Sequence, residues 1–433
     1  MGAGRAEIVI AGRLFLDGAF SQASLGITDG KIVSIAKVLQ GDRVLDVGDA
    51  WVLPGLVDLH VHFREPGLTH KEDFRSGTTA AAVGGVTTVL EMPNTLPPTT
   101  TPEAAIAKRE RAARSALVDF GIYGGVVPGS DLAALCAQVS ALKVYAGRST
   151  GGLLLRTEGF AGVFSQPLPV PIAVHAEDEG ILEEHLTDDG PSDLVSHDHS
   201  RPAEAELAAV RHILATRPRQ VHIAHLSEPR TLELLASTSH TCEVTPSHLL
   251  LHTGMESLGT AAKMNPPIRS KAVRDRLWEL YLQGALPIVA SDHAPHAVQE
   301  KGMPFATAPS GINGVETMGP LLLHRLRHDG LDAARIIDSL TSNPAKAFGL
   351  AKGRLQVGAD ADILIIEPSA SRTIKGSGLH GKCPQTPFEG AQGLFPSVVL
   401  VRGTTVVEGG EPVGAPGTGR FVRPSGPLGA RGR

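Results

Sequence analysis

Two histidines separated by one residue follow an apolar run, and they are the first side chains of this chain that could do chemistry. The run extends from Trp51 to Val57, and the histidines are His60 and His62. Because side chains of a strand alternate between its two faces, both imidazoles would project to the same side. Two imidazoles on one side form half of a typical zinc site. Such a pair also occurs as ordinary strand histidines, so the metal prediction depends on finding further ligands later in the chain.

Further metal-ligating and proton-carrying side chains stand at the ends of later apolar runs. They are His175, His225 and Asp292, and Lys143 lies within another run, Leu142–Tyr145. Zinc binds imidazole nitrogen and carboxylate oxygen, and catalytic zinc sites keep a position for water. A lysine buried in a strand tends to lose its charge. A neutral amine can react with CO2 to form a carbamate, but the residues alone leave open a Lys143 that simply pairs with an acid.

The elements that must position these residues are an alternation of strands and helices in the middle of the chain. Eight apolar runs are predicted strands: Leu56–His62, Thr87–Met92, Val118–Val127, Leu142–Tyr145, Pro171–His175, Gln220–His225, Cys242–Thr245 and Leu286–Asp292. Helical patterns between them include Pro102–Ser115, Ala203–Thr216, Pro229–Ala236 and Lys271–Gln283. This predicts an α/β fold with a (β/α)8 TIM barrel over residues 55–350 and the site at the carboxyl ends of its strands. A doubly wound sheet would need a glycine-rich phosphate turn after the first strand, which this chain lacks.

Both ends of the chain contain short β-type runs separated by turns. Residues 1–54 and 351–410 are predicted to form together a small β-sandwich domain beside the barrel. The last segment, 411–433, is rich in Gly, Pro and Arg, and we predict a disordered tail there.

The overall composition limits the classes of function. The chain has 433 residues and a net charge of −5, which does not fit the basic face of a nucleic-acid-binding protein. Its 3 cysteines are too few for a disulfide framework, so a reducing cytoplasm fits best. No apolar run approaches the ~20 residues of a membrane span, and the N-terminus lacks the apolar region of a signal peptide. We therefore expect a cytoplasmic enzyme acting on a small molecule, with neither nucleic acid nor membrane as a partner.

Several motifs resemble the cyclic amidohydrolases, a family that includes dihydroorotases, allantoinases and hydantoinases. The motifs lie at Leu53–Gly67, Glu91–Thr95, Lys143–Tyr145, Lys263–Arg269 and Ser291–His296, with Glu300-Lys301 just after. They extend over nearly the whole chain except the tail. Within the family the last two motifs resemble those of dihydroorotases. Allantoinases usually have Ser-Pro-Cys where this chain has Ala294-Pro295-His296, and hydantoinases typically lack the Phe-Arg-Glu-Pro-Gly pattern.

The resemblance implies a site with two zinc ions. His60, His62 and Asp292 would bind one zinc, His175 and His225 the other, and carboxylated Lys143 would bridge them. The implied reaction is the reversible hydrolysis of (S)-dihydroorotate to N-carbamoyl-L-aspartate in pyrimidine biosynthesis. Asp292 would be the catalytic residue, accepting a proton from the attacking hydroxide and delivering it to the ring nitrogen.

The carboxylate of such a substrate requires donors in the pocket. Arg64, two residues beyond His62, could hold it with two hydrogen bonds, although an ion pair with Glu65 or Asp73 is the alternative for this arginine. The resemblance implies that Asn94 and His296 also bind this carboxylate. Pro309 and Gly311 are predicted to line the pocket with backbone groups, and Asn265 to lie near its mouth.

Two other functions compete with this one. The first is another cyclic amidase, chiefly an allantoinase. The second is a non-catalytic subunit that scaffolds aspartate transcarbamoylase, which should have lost metal ligands that are all present here. The resemblance leaves open both a homodimer and an association with aspartate transcarbamoylase.

Overall fold

The structure is a computed structural model that describes residues 5–148 and 151–425. Its strands are β1 (Ala6–Leu16), β2 (Ala19–Thr28), β3 (Lys31–Ala36), β4 (Gly41–Pro54), β5 (Leu56–Val61), β6 (Val86–Glu91), β7 (Asp119–Gly125), β8 (Ala141–Tyr145), β9 (Ile172–His175), β10 (His222–Ile223), β11 (Thr241–Cys242), β12 (Ile363–Ile366), β13 (Arg372–Thr373), β14 (Gln392–Gly393), β15 (Val398–Val401), β16 (Thr404–Glu408) and β17 (Glu411–Pro412). Its α-helices are α1 (Phe74–Val83), α2 (Pro102–Ser115), α3 (Leu132–Cys136), α4 (Phe160–Phe164), α5 (Glu179–Glu184), α6 (Leu194–Ser200), α7 (Ala203–Ala215), α8 (Thr231–Leu235), α9 (Pro246–Leu250), α10 (Lys271–Gln283), α11 (Val298–Lys301), α12 (Val315–Asp329), α13 (Ala333–Leu340) and α14 (Ser342–Ala347).

Local sequence signals explain where the longer helices begin and end. Thr101 caps α2 by accepting a hydrogen bond from the N–H of Ala104 at 3.3 Å, and Pro102 occupies the first turn. Helix α10 is capped by Ser270 and ends at Gly284, whose φ of +85° favours glycine. These two helices coincide with the predicted segments because their boundaries are set by residues within one turn.

The middle of the chain forms a parallel sheet in the order β11-β10-β9-β8-β7-β6-β5. All residues of β5 through β9 are buried, as expected when helices cover the outer face and side chains fill the inner one. Helix α12 approaches β5 closely at Gly319, where a Cβ would lie 2.4 Å from Leu56 Cδ1. A side chain at this position would therefore push the helix off the sheet.

The segment 288–293 connects the two edges of this sheet. On one side, the N–H of Val244 donates to Ile288 O at 3.0 Å; on the other, the N–H of His62 donates to His293 O at 2.7 Å. The predicted strand Leu286–Asp292 is nevertheless not a regular strand. The N–H of Ser291 donates to the Asp58 carboxylate at 3.1 Å, and Asp292 has a φ of +47°, so a side chain interrupts the ladder where the backbone turns.

Strands from both ends of the chain form a second sheet, in the order β17-β16-β15-β12-β4-β1-β2-β3. The sequence predicted a β-sandwich here, and these strands form one continuous hydrogen-bonded sheet. Its junction with the parallel sheet contains a buried charge cluster. Lys352 Nζ lies 2.5 Å from Asp119, 2.8 Å from Asp360 and 2.7 Å from Asp362. Because Asp119 belongs to β7 of the parallel sheet, the ion pairs of Lys352 connect the two sheets. The three carboxylates also balance a lysine charge that would be costly to bury alone.

The sequence predicted a disordered tail, but the segment between β17 and residue 425 is ordered and packs on the rest of the protein. Phe421 packs on Phe120 with ring centroids 5.9 Å apart. The backbone also pairs with β7, since the N–H of Phe120 donates to Arg420 O and the N–H of Val422 donates to Phe120 O. One apolar ring and free hydrogen-bonding groups beside β7 are enough to order a segment whose composition suggested disorder. Residues 426–433 of that prediction lie outside the described residues.

Two expectations from composition can be compared with the part of the chain that the structure describes. Cys136, Cys242 and Cys383 are all free and buried. Among the described helices, none combines the length and the apolar character needed to cross a membrane.

Candidate metal centre

Four histidines and an aspartate converge at the carboxyl ends of the parallel strands, and all five are buried. The Nε2 atoms of His60 and His62 lie 3.3 and 3.2 Å from Asp292 Oδ1. On the other side, His175 Nδ1 lies 3.0 Å from His225 Nε2. The rings of His60 and His225 join the two groups, with centroids 5.2 Å apart. The structure thus brings together two adjacent ligand sets.

Lys143 lies in β8 beside these ligands and is fully buried. Within the described chain its Nζ has no hydrogen-bond partner, and neither has Nδ1 of His225. Burial lowers the pKa of Lys143 to about 8. Buried polar atoms without partners are rare because they cost free energy. A centre of imidazoles, one carboxylate and an unpartnered lysine fits bound metal ions, which would give these atoms their missing partners.

The histidines are neutral, as metal ligands must be. Burial lowers the pKa of His60 to about 4. It also lowers the pKa of His62 and His225 well below the ordinary value. Neutral imidazoles leave one ring nitrogen of each histidine free to donate its lone pair.

Two buried glutamates orient the imidazoles from behind. Glu243 lies 2.6 Å from His60 Nδ1 and 3.0 Å from His222 Nε2. Glu177 lies 2.7 Å from His175 Nε2. Burial alone would raise the pKa of Glu243, but its electrostatic interaction with the His60 ring and the hydrogen bonds from His222 and His60 hold it below its usual value. A carboxylate behind an imidazole fixes the tautomer and the direction of the ring.

Replacing Glu243 by Gln should weaken metal binding, since the amide accepts only weakly from His60 and cannot balance its developing charge. Outer carboxylates of this kind typically contribute ~10- to 100-fold to metal affinity or activity. The measurement is the metal content after dialysis against increasing concentrations of chelator. Glu228→Gln is a matched control, because Glu228 is also buried but bonds to Arg230 away from the cluster. Equal metal retention in the two variants would contradict the orienting role.

Arg64 lies beside the cluster with its side chain almost completely buried. Its Nε donates to Pro295 O at 3.2 Å, and its Nη2 lies 3.2 Å from His296 Nε2. The structure pairs Arg64 with neither of the two acids considered as alternatives. Glu65 accepts from a backbone N–H of α1, and Asp73 caps α1 and pairs with a lysine. The guanidinium is therefore available to an anion in the cavity.

The cavity at this mouth is lined by His60, His62, Arg64, Asn94, Tyr145, His175, His225, Asn265, Asp292, Ala294, Ser310 and Gly311. Asn94 Oδ1 lies 2.7 Å from His62 Nδ1. Pro309 does not line the cavity; its carbonyl oxygen accepts from Lys301 Nζ at 3.1 Å. Gly311 has a φ of +153°, and a Cβ there would lie 2.2 Å from Ala294 O. Glycine is therefore required where the chain passes this close to the cavity wall.

Sequence reasoning did not identify Glu177, Glu243 or Tyr145 as members of the site. Glu243 could have been found as an acid within an apolar run. Tyr145 follows Lys143 by two residues and so shares its face of β8. Its hydroxyl is buried and has no hydrogen-bond partner among the described residues. Glu177 follows His175 by the same spacing of two residues, so this pattern could also have identified it.

An imidazole–carboxylate cluster with a buried lysine at the mouth of a parallel sheet defines the class of metal-dependent hydrolases. The model of the Amidohydrolase family matches residues 168–406, and the Dihydro-orotase-like model matches residues 50–209. The chain is 41% identical to the dihydroorotase of Halobacterium salinarum, covering 88% of this chain and 92% of that one. It is 37% identical to the dihydroorotase of Methanosarcina mazei, covering 96% and 97%. This chain belongs to the amidohydrolase family, among its dihydroorotase-like members.

Other members of the family are also similar. An allantoinase of Rubrobacter xylanophilus is 35% identical over 98% of this chain and 99% of its own length. Among solved structures, the L-hydantoinase from Arthrobacter aurescens matches with a TM-score of 0.92 and 31% identity, covering 96% of this chain and 100% of that one. These enzymes share the fold, so the choice of substrate depends on the mouth of the site.

Proposed function

We propose that this hydrolase catalyses the reversible conversion of (S)-dihydroorotate to N-carbamoyl-L-aspartate. The observation that carries the proposal is the buried guanidinium of Arg64 at the mouth of the metal-ligand cluster, unpaired with either neighbouring acid. An anionic group on the substrate balances this charge, and dihydroorotate carries a carboxylate on the ring that is opened. The similarity to dihydroorotases over most of the chain supports the same reaction.

We propose two zinc ions as the cofactor. His60, His62 and Asp292 would hold one ion and His175 and His225 the other, with carboxylated Lys143 as a ligand that both would share. The lowered pKa of Lys143 favours the neutral amine that reacts with CO2. When bound, zinc supplies Lewis-acid chemistry, lowering the pKa of a water and polarising the ring carbonyl.

The chain's own side chains move the proton and hold the substrate. Asp292 accepts the proton of the attacking water and passes it to the leaving ring nitrogen as a general acid. In the reverse direction it takes that proton from the ureido nitrogen of carbamoyl aspartate. Arg64, His296 and Asn94 hold the substrate carboxylate, and Asn265 and Gly311 also line the cavity. The hydroxyl of Tyr145 offers a further donor toward the cavity.

One assay tests the proposal. Purified protein is incubated separately with (S)-dihydroorotate, allantoin and a hydantoin, before and after treatment with a chelator. Dihydroorotate should be turned over strongly, allantoin and hydantoin weakly, and the chelator should abolish all activity until zinc is restored. Allantoin turnover as fast as that of dihydroorotate would instead favour the allantoinase function that the Rubrobacter xylanophilus enzyme suggests.

Replacing Arg64 by Met should raise the KM for dihydroorotate with a smaller change in kcat. The variant keeps an unbranched apolar stem but loses the guanidinium and its hydrogen bonds to a charged group, each typically ~1.5–3 kcal/mol, or roughly 10- to 100-fold in KM. The measurement is a full kinetic comparison with the unchanged chain. Arg43→Met is a control, because Arg43 is an exposed residue of β4 that does not line the cavity. An unchanged KM in Arg64→Met would contradict the proposal that Arg64 binds the substrate carboxylate.

We also propose the domain division that the sequence suggested. Residues 55–350 form a closed (β/α)8 catalytic barrel, an interpretation supported by the hydrogen bonds of 288–293 to both sheet edges. Residues 1–54 and 351–410 form a second domain made from both ends of the chain, supported by the pairing of β12 with β4 within one sheet.

A further inference from the structure

Two lysines donate hydrogen bonds to a loop at the mouth of the cavity. The loop consists of residues 302–311, and we call it the mouth loop. Lys263 Nζ donates to Phe305 O at 2.6 Å and to Ala308 O at 2.8 Å. The same ammonium lies 4.9 Å from the centroid of the Phe305 ring. Lys263 thereby fixes the first half of the mouth loop.

Lys301 fixes the second half of the mouth loop. Its Nζ donates to Gly311 O at 2.9 Å, to Pro309 O at 3.1 Å and to Lys263 O at 3.3 Å. The N–H of Gly311 also donates to Lys263 O, at 2.8 Å. The two lysines and the mouth loop are therefore one hydrogen-bonded unit, and its residues Ser310 and Gly311 line the cavity.

The charge of these lysines is not neutralised within the described chain. Both ammonium groups donate to carbonyl oxygens only. The acid next to Lys301, Glu300, pairs with Lys71 at 2.8 Å instead. Burial, and after it the charge of Lys263, lowers the pKa of Lys301 to about 7. Burial lowers the pKa of Lys263 to about 8. The shift of Lys263 thus reflects burial alone, and that of Lys301 reflects burial next to a second positive charge.

The same unit adjoins the proposed place of the substrate carboxylate. His296 Nε2 lies 3.1 Å from Ser310 O and 3.2 Å from Arg64 Nη2. A Cβ on Gly311 would lie 2.8 Å from the His296 ring, so the mouth loop packs directly against this imidazole. The unbalanced positive charge of the lysines thus lies immediately behind the wall that faces an anionic substrate.

We propose that Lys263 and Lys301 are positioning residues that make this enzyme select cyclic amides carrying a carboxylate. They fix the mouth loop against His296, and their charge is balanced when an anion binds beside Arg64. A ring without a carboxylate gains nothing from that charge. The inference rests on the proposed function, since dihydroorotate supplies the anion.

The test compares ligands that differ only in the carboxylate. Lys301→Met, Lys301→Gln and Lys301→Arg are assayed for KM and kcat with (S)-dihydroorotate. Their inhibition constants are measured for orotate and for uracil, which is the same ring without the carboxylate. Lys346→Met serves as the control, because Lys346 belongs to α14 and does not contact the mouth loop.

We expect the Met and Gln variants to raise the KM for dihydroorotate and the inhibition constant of orotate by ~10-fold, with kcat and uracil inhibition changed by less than about threefold. Lys301→Arg should recover part of the loss because it keeps the charge. Thermal unfolding identifies any variant that fails to fold. If Lys301→Met does, Lys301→Gln carries the test, since its amide keeps a donor but not the charge.

The outcomes separate the two proposals. An unchanged chain that does not hydrolyse dihydroorotate contradicts the proposed function. An active unchanged chain whose Met and Gln variants keep the KM contradicts the role of the lysines. Equal weakening of orotate and uracil also contradicts it, because a purely structural lysine would affect both rings alike.

Discussion

Replacing Lys143 by Ala should remove activity almost completely, by ~10³-fold or more, the size expected when a group that stabilises developing charge is lost. Lys143 is the one side chain that faces both ligand sets from a strand and has no partner of its own among the described residues. Its charge also contributes to lowering the pKa values of His60 and His225, so it lies close to both sets. Without it, no described side chain would supply the shared carboxylate that we propose between the two sets.

The Lys143→Ala variant also allows a test by chemical rescue. A short carboxylic acid such as acetate or propionate can occupy the space that the carbamate left and should restore part of the activity. Chloride at the same ionic strength is the control. Metal analysis should give close to two zinc ions in the unchanged chain and fewer in Lys143→Ala. Full activity with one zinc and an unmodified lysine would contradict the carboxylated bridge.

Those parts of the site that depend on local sequence could be predicted. His60 lies in β5 and His62 directly follows its last residue, so alternation at the end of this strand places the pair, and His175 ends β9 as predicted. Helices α2 and α10 coincide with their predictions because their caps are encoded within a turn. In each case the information lies in a few neighbouring residues.

The contacts that complete the site could not be predicted in this way. Glu243 supports His60 across 183 residues of sequence, and no local pattern specifies such a pairing. The prediction of a regular eighth strand was wrong for a related reason. The N–H of Ser291 donates to the Asp58 carboxylate and not to a backbone carbonyl. The segment around Phe421 was predicted to be disordered from its composition. Composition does not show that one aromatic ring packs at a particular place on β7.

Selectivity within this family is the property that depends most on such distant contacts. The chain shares its fold with a hydantoinase of 31% identity and is 35% identical to an allantoinase. Under the proposed function, the charge at the mouth is what selects a ring that carries a carboxylate. There, Arg64 and His296 come from opposite ends of the barrel sequence, 232 residues apart. A sequence motif identifies each residue, but only the fold shows that the two side chains lie next to each other.

Replacing Asp292 by Asn should lower kcat by ~10²–10⁴-fold, the usual contribution of a general acid–base group. The amide has nearly the same shape, so the substrate should still bind with a similar dissociation constant. It cannot accept the proton of the attacking water, and so it has none to deliver to the ring nitrogen. Asp292 is suited to this task by its place, buried at the mouth within 3.3 Å of both His60 and His62.

Because Asp292 is also a proposed metal ligand, the experiment must separate the two roles. Zinc content and orotate binding are measured on the same preparation as kcat, and zinc is added until the content equals that of the unchanged chain. In the unchanged chain, kcat for ring opening should fall as the pH drops and the carboxylate becomes protonated. In Asp292→Asn this acid limb should disappear. A zinc-loaded variant that keeps more than about a tenth of kcat, or retains the acid limb, would assign the proton transfer to another group.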